Sequence, residues 1–495
     1  MDSETGQVVE PPTPPTNPAQ KPGRVLAKEL NLFQLPPINN SFIKRQWCEH
    51  QPSFVNDKSA VEFNISGSGT QYTDLSNTYL KVQVRIKEVG GQKDFEQIVK
   101  RQNVENNHSA IPVDNILHSL WSDVQVKLNG SLVSTSNTNY AYKAYIEKIL
   151  KFNSMAKEKQ LLFCGFSGDK GYMDQCNVWQ PPFSKGLSKR WSWMQGIETK
   201  ISRGKEATAS EADEDEIWPT PTCVEYMGPL MADICQQDRL ILNGVNMDFK
   251  FIPQEDKFRL ITFPTGTKAE IHLDEIKLMV CRVTLANETF LGVERILPTM
   301  PVVYPFSRTD VRTFNINAGQ YEETYEDLFQ GEVPSKMIVG MVKSKSYSGS
   351  FDLNPFRFRP FDIHSMGFYV DDESVPRQPF EFNVRDCGYL EGLQSLYEVT
   401  GKWGKNTDLD ITRETYRQGF FLVGFDVDGA TAPNLTSYVG ETKSGRTRLK
   451  LKFKKALSTN ITVIVYAAFQ EVAQIDKARN VSLRERDRLL YGRSR

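Results

Sequence analysis

Side chains that could do chemistry are few and scattered. The five histidines, His50, His108, His118, His272 and His364, share no close ligand spacing and no H-E-x-x-H pair. Each is expected to be an ordinary surface or boundary residue, with His272 on the polar face of a strand. The seven cysteines (Cys48, Cys164, Cys176, Cys223, Cys235, Cys281, Cys387) form no C-x-x-C pair and are odd in number, which argues against a zinc site or a disulfide framework and for a reducing compartment. The sequence has no G-x-S-x-G elbow, no Walker loop and no G-x-G-x-x-G following a strand. "SGSG" at residues 66–69 is read as a turn because no helix follows it. No catalytic, cofactor-binding or metal-ligating residue is nominated, so the chain is expected to be no enzyme and to need no cofactor.

Three stretches could still meet a ligand. "EADEDE" (residues 211–216) could hold calcium or a basic partner, but it lacks the alternating Asp/Asn-Gly pattern of a calcium loop and is read as a solvated acidic loop. "RWSWM" (residues 190–194) could stack on bases or sugars; burial at a loop base or subunit contact is the favoured reading. The end of the chain, "DKARNVSLRERDRLLYGRSR" (residues 476–495), is locally basic and could neutralise phosphates without reading sequence, or pack on a neighbouring subunit. Ser482 and Glu485 there form an S-x-x-E capping box, so a short helix is expected.

The bulk numbers narrow the class. The chain has 495 residues, a net charge of −1 and 39% hydrophobic residues, enough for two or more cores without a global charge that would draw it to DNA or membrane. Its first residues carry no apolar signal segment, and the longest apolar run, "ITVIVYAAF" (residues 461–469), is too short to span a bilayer. Synthesis in the cytoplasm with no membrane span is expected. Residues 1–30 are Pro-rich and cannot build a core.

Strands must position everything else. "TYLKVQVRI" alternates Leu80, Val82, Val84 and Ile86 with polar residues, and "VNMDFKFI" and "RTRLKLKFKKAL" do the same. "AEIHLDEIKLMV" changes parity between Leu273 and Ile276, which suggests a bulge. Asn129-Gly130 is a hairpin turn signal. Just beyond it, Tyr142, Tyr145, Ile146 and Ile149 line one face of a helix and are expected to cap the margin of the adjacent sandwich.

The pattern recurs. "VEFNISGSG" (61–69) pairs with "VRTFNINAG" (311–319), "TYLKVQVRI" (78–86) with "SKMIVGMVK" (335–343), "QVKLNGSLV" (125–133) with "GFYVDDESV" (367–375), and "YAYKAYIEKIL" (140–150) with "YLEGLQSLYEV" (389–399), all at an offset of about 250 residues. The expected fold is all-β: two tandem eight-stranded jelly-roll β-sandwiches with a short helix in each and long surface loops, one of them at residues 180–221. Wide gaps between strands favour jelly rolls over an immunoglobulin-like sandwich. The expected domains are a disordered arm at 1–30, jelly rolls at 31–290 and 291–475, and a basic tail at 476–495.

The strand-turn-helix block "PVDNILHSLWSDVQVKLNGSLVSTSNTNYAYKAYIEKIL" (residues 112–150) resembles the double jelly-roll major capsid proteins of Polinton/Maverick elements and adintoviruses. "VIVYAAFQEVAQIDKARNV" (463–481) is similar to the last strand and exit of the same family. The resemblance implies a hexon-like structural protein of the virion: a homotrimer forming pseudo-hexameric capsomers that tile an icosahedral shell, with a penton-type single jelly-roll protein at the vertices. The two polar termini are then candidate assembly segments, with the basic tail facing genome DNA. The competing class is a jelly-roll carbohydrate-binding lectin or adhesin, which missing secretion signals and free cysteines disfavour; a jelly-roll glycoside hydrolase would need two carboxylates across a cleft.

Overall fold

The structure is a computed structural model that describes residues 39–54, 58–88, 109–134, 138–174, 184–194, 223–263, 266–376, 378–386, 388–428 and 443–484. Alternating apolar residues make each strand two-faced, and two such sheets closing on one another remove both apolar faces from water. In the first sandwich one sheet runs in the order Phe42–His50, Ala269–Leu285, Gln71–Glu88, Val224–Pro229. The facing sheet runs Val61–Ile65, Met247–Pro253, Trp121–Leu128, Ser131–Leu132. In the second sandwich the corresponding orders are Val302–Ile316, Ile461–Ile475, Lys336–Lys343, Leu422–Asp426, and Glu322–Glu326, Thr447–Phe453, Ile363–Val370, Glu373–Ser374.

Numbered along the chain, both sandwiches therefore have one sheet ordered 1-8-3-6 and another ordered 2-7-4-5. All the pairings are antiparallel. This is jelly-roll topology, present twice. It puts the 1–2, 3–4, 5–6 and 7–8 connections of each sandwich at one end. The expected bulge is present: the register shifts between Leu273 and Glu275.

The repeat holds in three of its four segment pairs. Residues 78–86 and 335–343 fall on third strands, and the hairpins of 125–133 and 367–375 join fourth and fifth strands. The hairpin turns match in conformation, with positive φ at Asn129 (46°) and Gly130 (81°) and at Asp371 (49°) and Asp372 (69°), the type I′ geometry that suits strand twist. The helices Tyr140–Lys151 and Leu390–Val399 both lie between fifth and sixth strands. The Phe-Asn-Ile pair is a correction: Val61–Ile65 is a second strand, whereas residues 311–316 end a first strand. Period-two alternation looks the same on any strand with one buried face, so it cannot fix which strand is which.

The Tyr140–Lys151 helix also corrects its expected role. Its Tyr142, Tyr145, Ile146 and Ile149 pack into the core of the second sandwich, whereas Tyr140 and Ala144 on its other side join the core of the first. The helix is a joint between sandwiches and not a cap on one margin. Tyr145 stacks on Phe356 and Tyr142 on Tyr347, and the Tyr142 hydroxyl donates to the Pro355 carbonyl at 3.1 Å. The helix Leu390–Val399 instead covers its own sandwich, where the Gly424 N–H donates to Ser395 Oγ at 3.0 Å. The union is reciprocal, because Tyr304, Phe306, Ala473 and Ile475 of the second sandwich's long strands are buried in the first core.

Candidate assembly surface

The residues that could have carried chemistry are dispersed. His118 is fully buried with Nδ1 3.0 Å from the Tyr140 hydroxyl, and burial, aided by Lys148 and Lys143, holds its pKa well below the usual imidazole range. Burial, then Arg282, also lowers His50. His272 lies 3.6 Å from Asp274 at a partly exposed strand position, His364 is exposed, and His108 is outside the described residues. Among the described residues no three His, Cys, Asp or Glu side chains form a group able to hold a metal. Cys48, Cys164, Cys223, Cys235 and Cys281 are free thiols, and Cys176 and Cys387 are outside the described residues. The acidic stretch 211–216 is also outside them.

Residues 190–194 have Arg190 buried, with Trp191 half-buried and packed against the core. They close a helix, Lys185–Met194, inside the segment expected to be a long loop at 180–221. Arg190 is fully buried: its Nη2 donates to Asp169 Oδ2 at 2.8 Å, its Nη1 reaches Asp114 Oδ1 at 3.3 Å, and its Nε donates to the Pro112 carbonyl at 2.8 Å. Asn354 of the second sandwich donates to Asp169 Oδ2 at 2.8 Å. The helix is anchored by these ions together with Leu187, fully buried in the core, and Trp191 packed against it, too short an apolar run for periodicity to reveal.

A second buried network sits on the joint helix. Lys143 Nζ lies 2.7 Å from Asp233 Oδ1, and Lys151 Nζ lies 3.4 Å from Glu147 Oε2. The second sandwich completes it: the Thr309 N–H donates to Asp233 Oδ2 at 3.0 Å and the Tyr466 hydroxyl donates to Glu147 Oε1 at 3.3 Å. Burial alone would raise the Glu147 carboxyl, but Lys151 and Lys143 outweigh it and hold it below the usual carboxylate range.

The basic tail departs from expectation. Val481–Arg484 is a strand added to Ile461–Ile475, not a helix starting at Ser482. An unpaired strand edge next to the turn offers backbone hydrogen bonds that a single cap, worth about 1 kcal/mol, does not match. Arg479 is committed to the first sandwich: its Nη2 lies 2.8 Å from Glu294 Oε1, its Nε donates to the Asn243 carbonyl at 2.9 Å, and its carbonyl accepts from Asn129 Nδ2 at 2.7 Å. Residues 485–495 lie outside the described part.

The surface feature that sequence reading missed is apolar. Phe42–His50 is an edge strand, hydrogen-bonded on one side to Ala269–Leu285 with its other edge unpaired among the described residues. Phe42, Ile43 and Trp47 on it are exposed, Ile43 by 66%. The helix Asn287–Ile296 follows directly from the partner strand, and Leu291, Ile296 and, just beyond, Met300 are exposed as well. The Ala286 N–H donates to the Ser41 carbonyl at 2.9 Å, so the helix begins beside the start of the edge strand. Exposed large apolar side chains beside an open strand edge make this the candidate interaction surface. The only sequence signal was the pair of apolar residues Phe42 and Ile43 beside Trp47 in an otherwise polar stretch.

No family model matches the chain. An uncharacterised protein of Caenorhabditis elegans is 24% identical over 430 residues, 85% of this chain and 92% of that protein. A chain in the cryo-EM structure of the Sputnik virophage is similar with a TM-score of 0.56 at 9% identity, over 95% of each chain. The crystal structure of the mavirus major capsid protein is similar with a TM-score of 0.52 at 12% identity, over 98% of this chain and 99% of that one. With each half ordered as a jelly roll and the likeness running over the full length, the chain has a double jelly-roll fold shared with these structures.

Proposed function

We propose that this chain is the major structural protein of an icosahedral virion shell, and not an enzyme or a lectin. It acts as a homotrimer in which two sandwiches per subunit give a pseudo-hexameric capsomer. The observation that carries the reading is the pair of sandwiches with identical strand order, joined through a shared core over the full length of the chain. Two fused sandwiches with both cores interlocked make a rigid block, which suits tiling. The likeness to the mavirus protein over nearly all of both chains supports it, and the Polinton/Maverick lineage is the one the sequence resemblance implies. The face around Ile43 and Leu291 is the natural contact between subunits, since an obligate interface needs apolar area. A penton-type single jelly-roll protein fills the vertices, and residues 485–495 meet genome phosphates inside the shell; Arg479 is already engaged. The domain reading keeps residues 1–30 as an arm outside the two sandwiches.

Size-exclusion chromatography with light scattering, followed by electron microscopy, tests this. A mass three times that of the chain and closed particles are expected. A monomer that binds immobilised glycans and never forms particles would favour the lectin.

A further inference from the structure

A cleft of about 570 Å³ opens at the loop end of the second sandwich, within the roughly 300–1,000 Å³ range of small-ligand sites. Arg357 and Arg359 come from the connection between Lys336–Lys343 and Ile363–Val370, Arg417 from the helix Arg413–Gly419, and Lys455 from the connection between Thr447–Phe453 and Ile461–Ile475. Tyr172 of the first sandwich closes one side. Four cations thus line the cleft, and among the described residues its single lining carboxylate, Asp362, is held by Arg385 at 2.6 Å.

The charges are poorly compensated from within. Arg357 pairs with Asp174, yet its Nε is buried without a hydrogen-bond partner. Arg359 is half-buried with its guanidinium 5.2 Å from the Phe361 ring centroid, and among the described residues it has no carboxylate within 4.0 Å. Burial, then Arg357, lowers its pKa, against a smaller opposing pull from Asp174. Arg417 and Lys455 likewise have no ion-pair partner among the described residues. Arg357 and Arg359, adjacent and half-buried, cost free energy unless an anion meets them, and the exposed Arg417 and Lys455 add positive charge at the mouth. Guanidinium forks match the tetrahedral oxygens of phosphate and sulfate in a bidentate way. One phosphate carries at most about two charges, too few for the whole lining.

We propose that this cleft is a binding site for an oligo-anion carrying two or more phosphate or sulfate groups. The site is independent of whether the chain builds a shell. Isothermal titration calorimetry of the full chain with tripolyphosphate, orthophosphate and a sulfated heparin tetrasaccharide tests it. Saturable one-to-one binding is expected for at least one oligo-anion, at least tenfold tighter than orthophosphate. Arg417→Gln, at an exposed position, and Arg359→Ala should each weaken that binding at least tenfold, whereas Arg446→Gln, an exposed arginine outside the cleft, should not. Tighter tripolyphosphate assigns the site to phosphorylated ligands, and a tighter tetrasaccharide assigns it to sulfated glycans. Absence of saturable binding, or equal weakening by Arg446→Gln, overturns the proposal. Arg417→Gln keeps the test valid should Arg359→Ala fail to fold.

Discussion

Tyr145 and Phe356 stack with ring centroids 4.1 Å apart and ring planes 14° apart, and they belong to different sandwiches. Tyr145 stands on the joint helix, and Phe356 lies in the connection between the third and fourth strands of the second sandwich. The contact makes the first repeat's helix part of the second repeat's core, so neither sandwich is closed without the other.

Cutting this contact should therefore weaken both halves at once. Phe356→Ala and Ile146→Ala are expected to cost about 3–5 and about 2–5 kcal/mol respectively. Denaturant unfolding followed by fluorescence and by circular dichroism should show one shared transition moved to lower denaturant. Two separate transitions, with only one of them moved, would mean that the sandwiches are independent.

Arg190 should matter more than any exposed cation. Its removal leaves Asp114 and Asp169 buried without their counter-charge. Arg190→Ala is expected to destabilise by about 3–5 kcal/mol, the usual cost of breaking a buried pair. Arg446→Ala, which loses an exposed pair with Glu326, should stay within about 1 kcal/mol. Thermal melts of the two variants make the comparison.

Lys157 sets a pH dependence. Its ammonium donates to the carbonyls of Ile149 at 2.8 Å and Leu409 at 2.6 Å, and burial lowers its pKa from 10.5 to about 7. Below that value both folded and unfolded chains hold the proton, and the folded state carries the full cost of the buried charge. Between about 7 and 10.5 the unfolded chain binds more protons, so this group makes stability rise with pH. Lys157→Met should flatten that rise when melting is followed from pH 6 to 10 relative to wild type. An unchanged slope would show that the amine stays charged.

Assembly should divide between faces and termini. Ile43→Asp with Leu291→Asp places charge on the exposed apolar face and is expected to give folded monomers by light scattering. Removing residues 1–28 and 485–495 should leave trimers but reduce closed particles seen by electron microscopy, because segments of this polar composition suit contacts with a neighbouring subunit. Truncated chains that close shells as readily as the full chain would exclude the termini from assembly.

The sequence by itself determined the strictly alternating strands such as those at 78–86 and 447–453, the tight turn at Asn129-Gly130, and the doubling of the hairpin-helix unit. These follow from local rules: a period of two for a half-buried strand and positive φ for a tight turn. Only the tertiary structure decided what lay across from each element. The Tyr145 face read as amphipathic, but nothing local says whether its partner is the adjacent sheet or Phe356, 211 residues onward. Arg190 looked like part of a surface loop because its partners Asp114 and Asp169 lie far away in sequence. Ser482 carried a sound helix cap, yet a free edge of Ile461–Ile475 captured the segment as a strand. The apolar face at Ile43 and Leu291 forms only when strand and helix meet, and the Arg359 cleft only when three loops converge at one end. Local propensity acts over a turn or a strand, whereas burial, ion pairing and edge pairing are settled between segments brought together by folding.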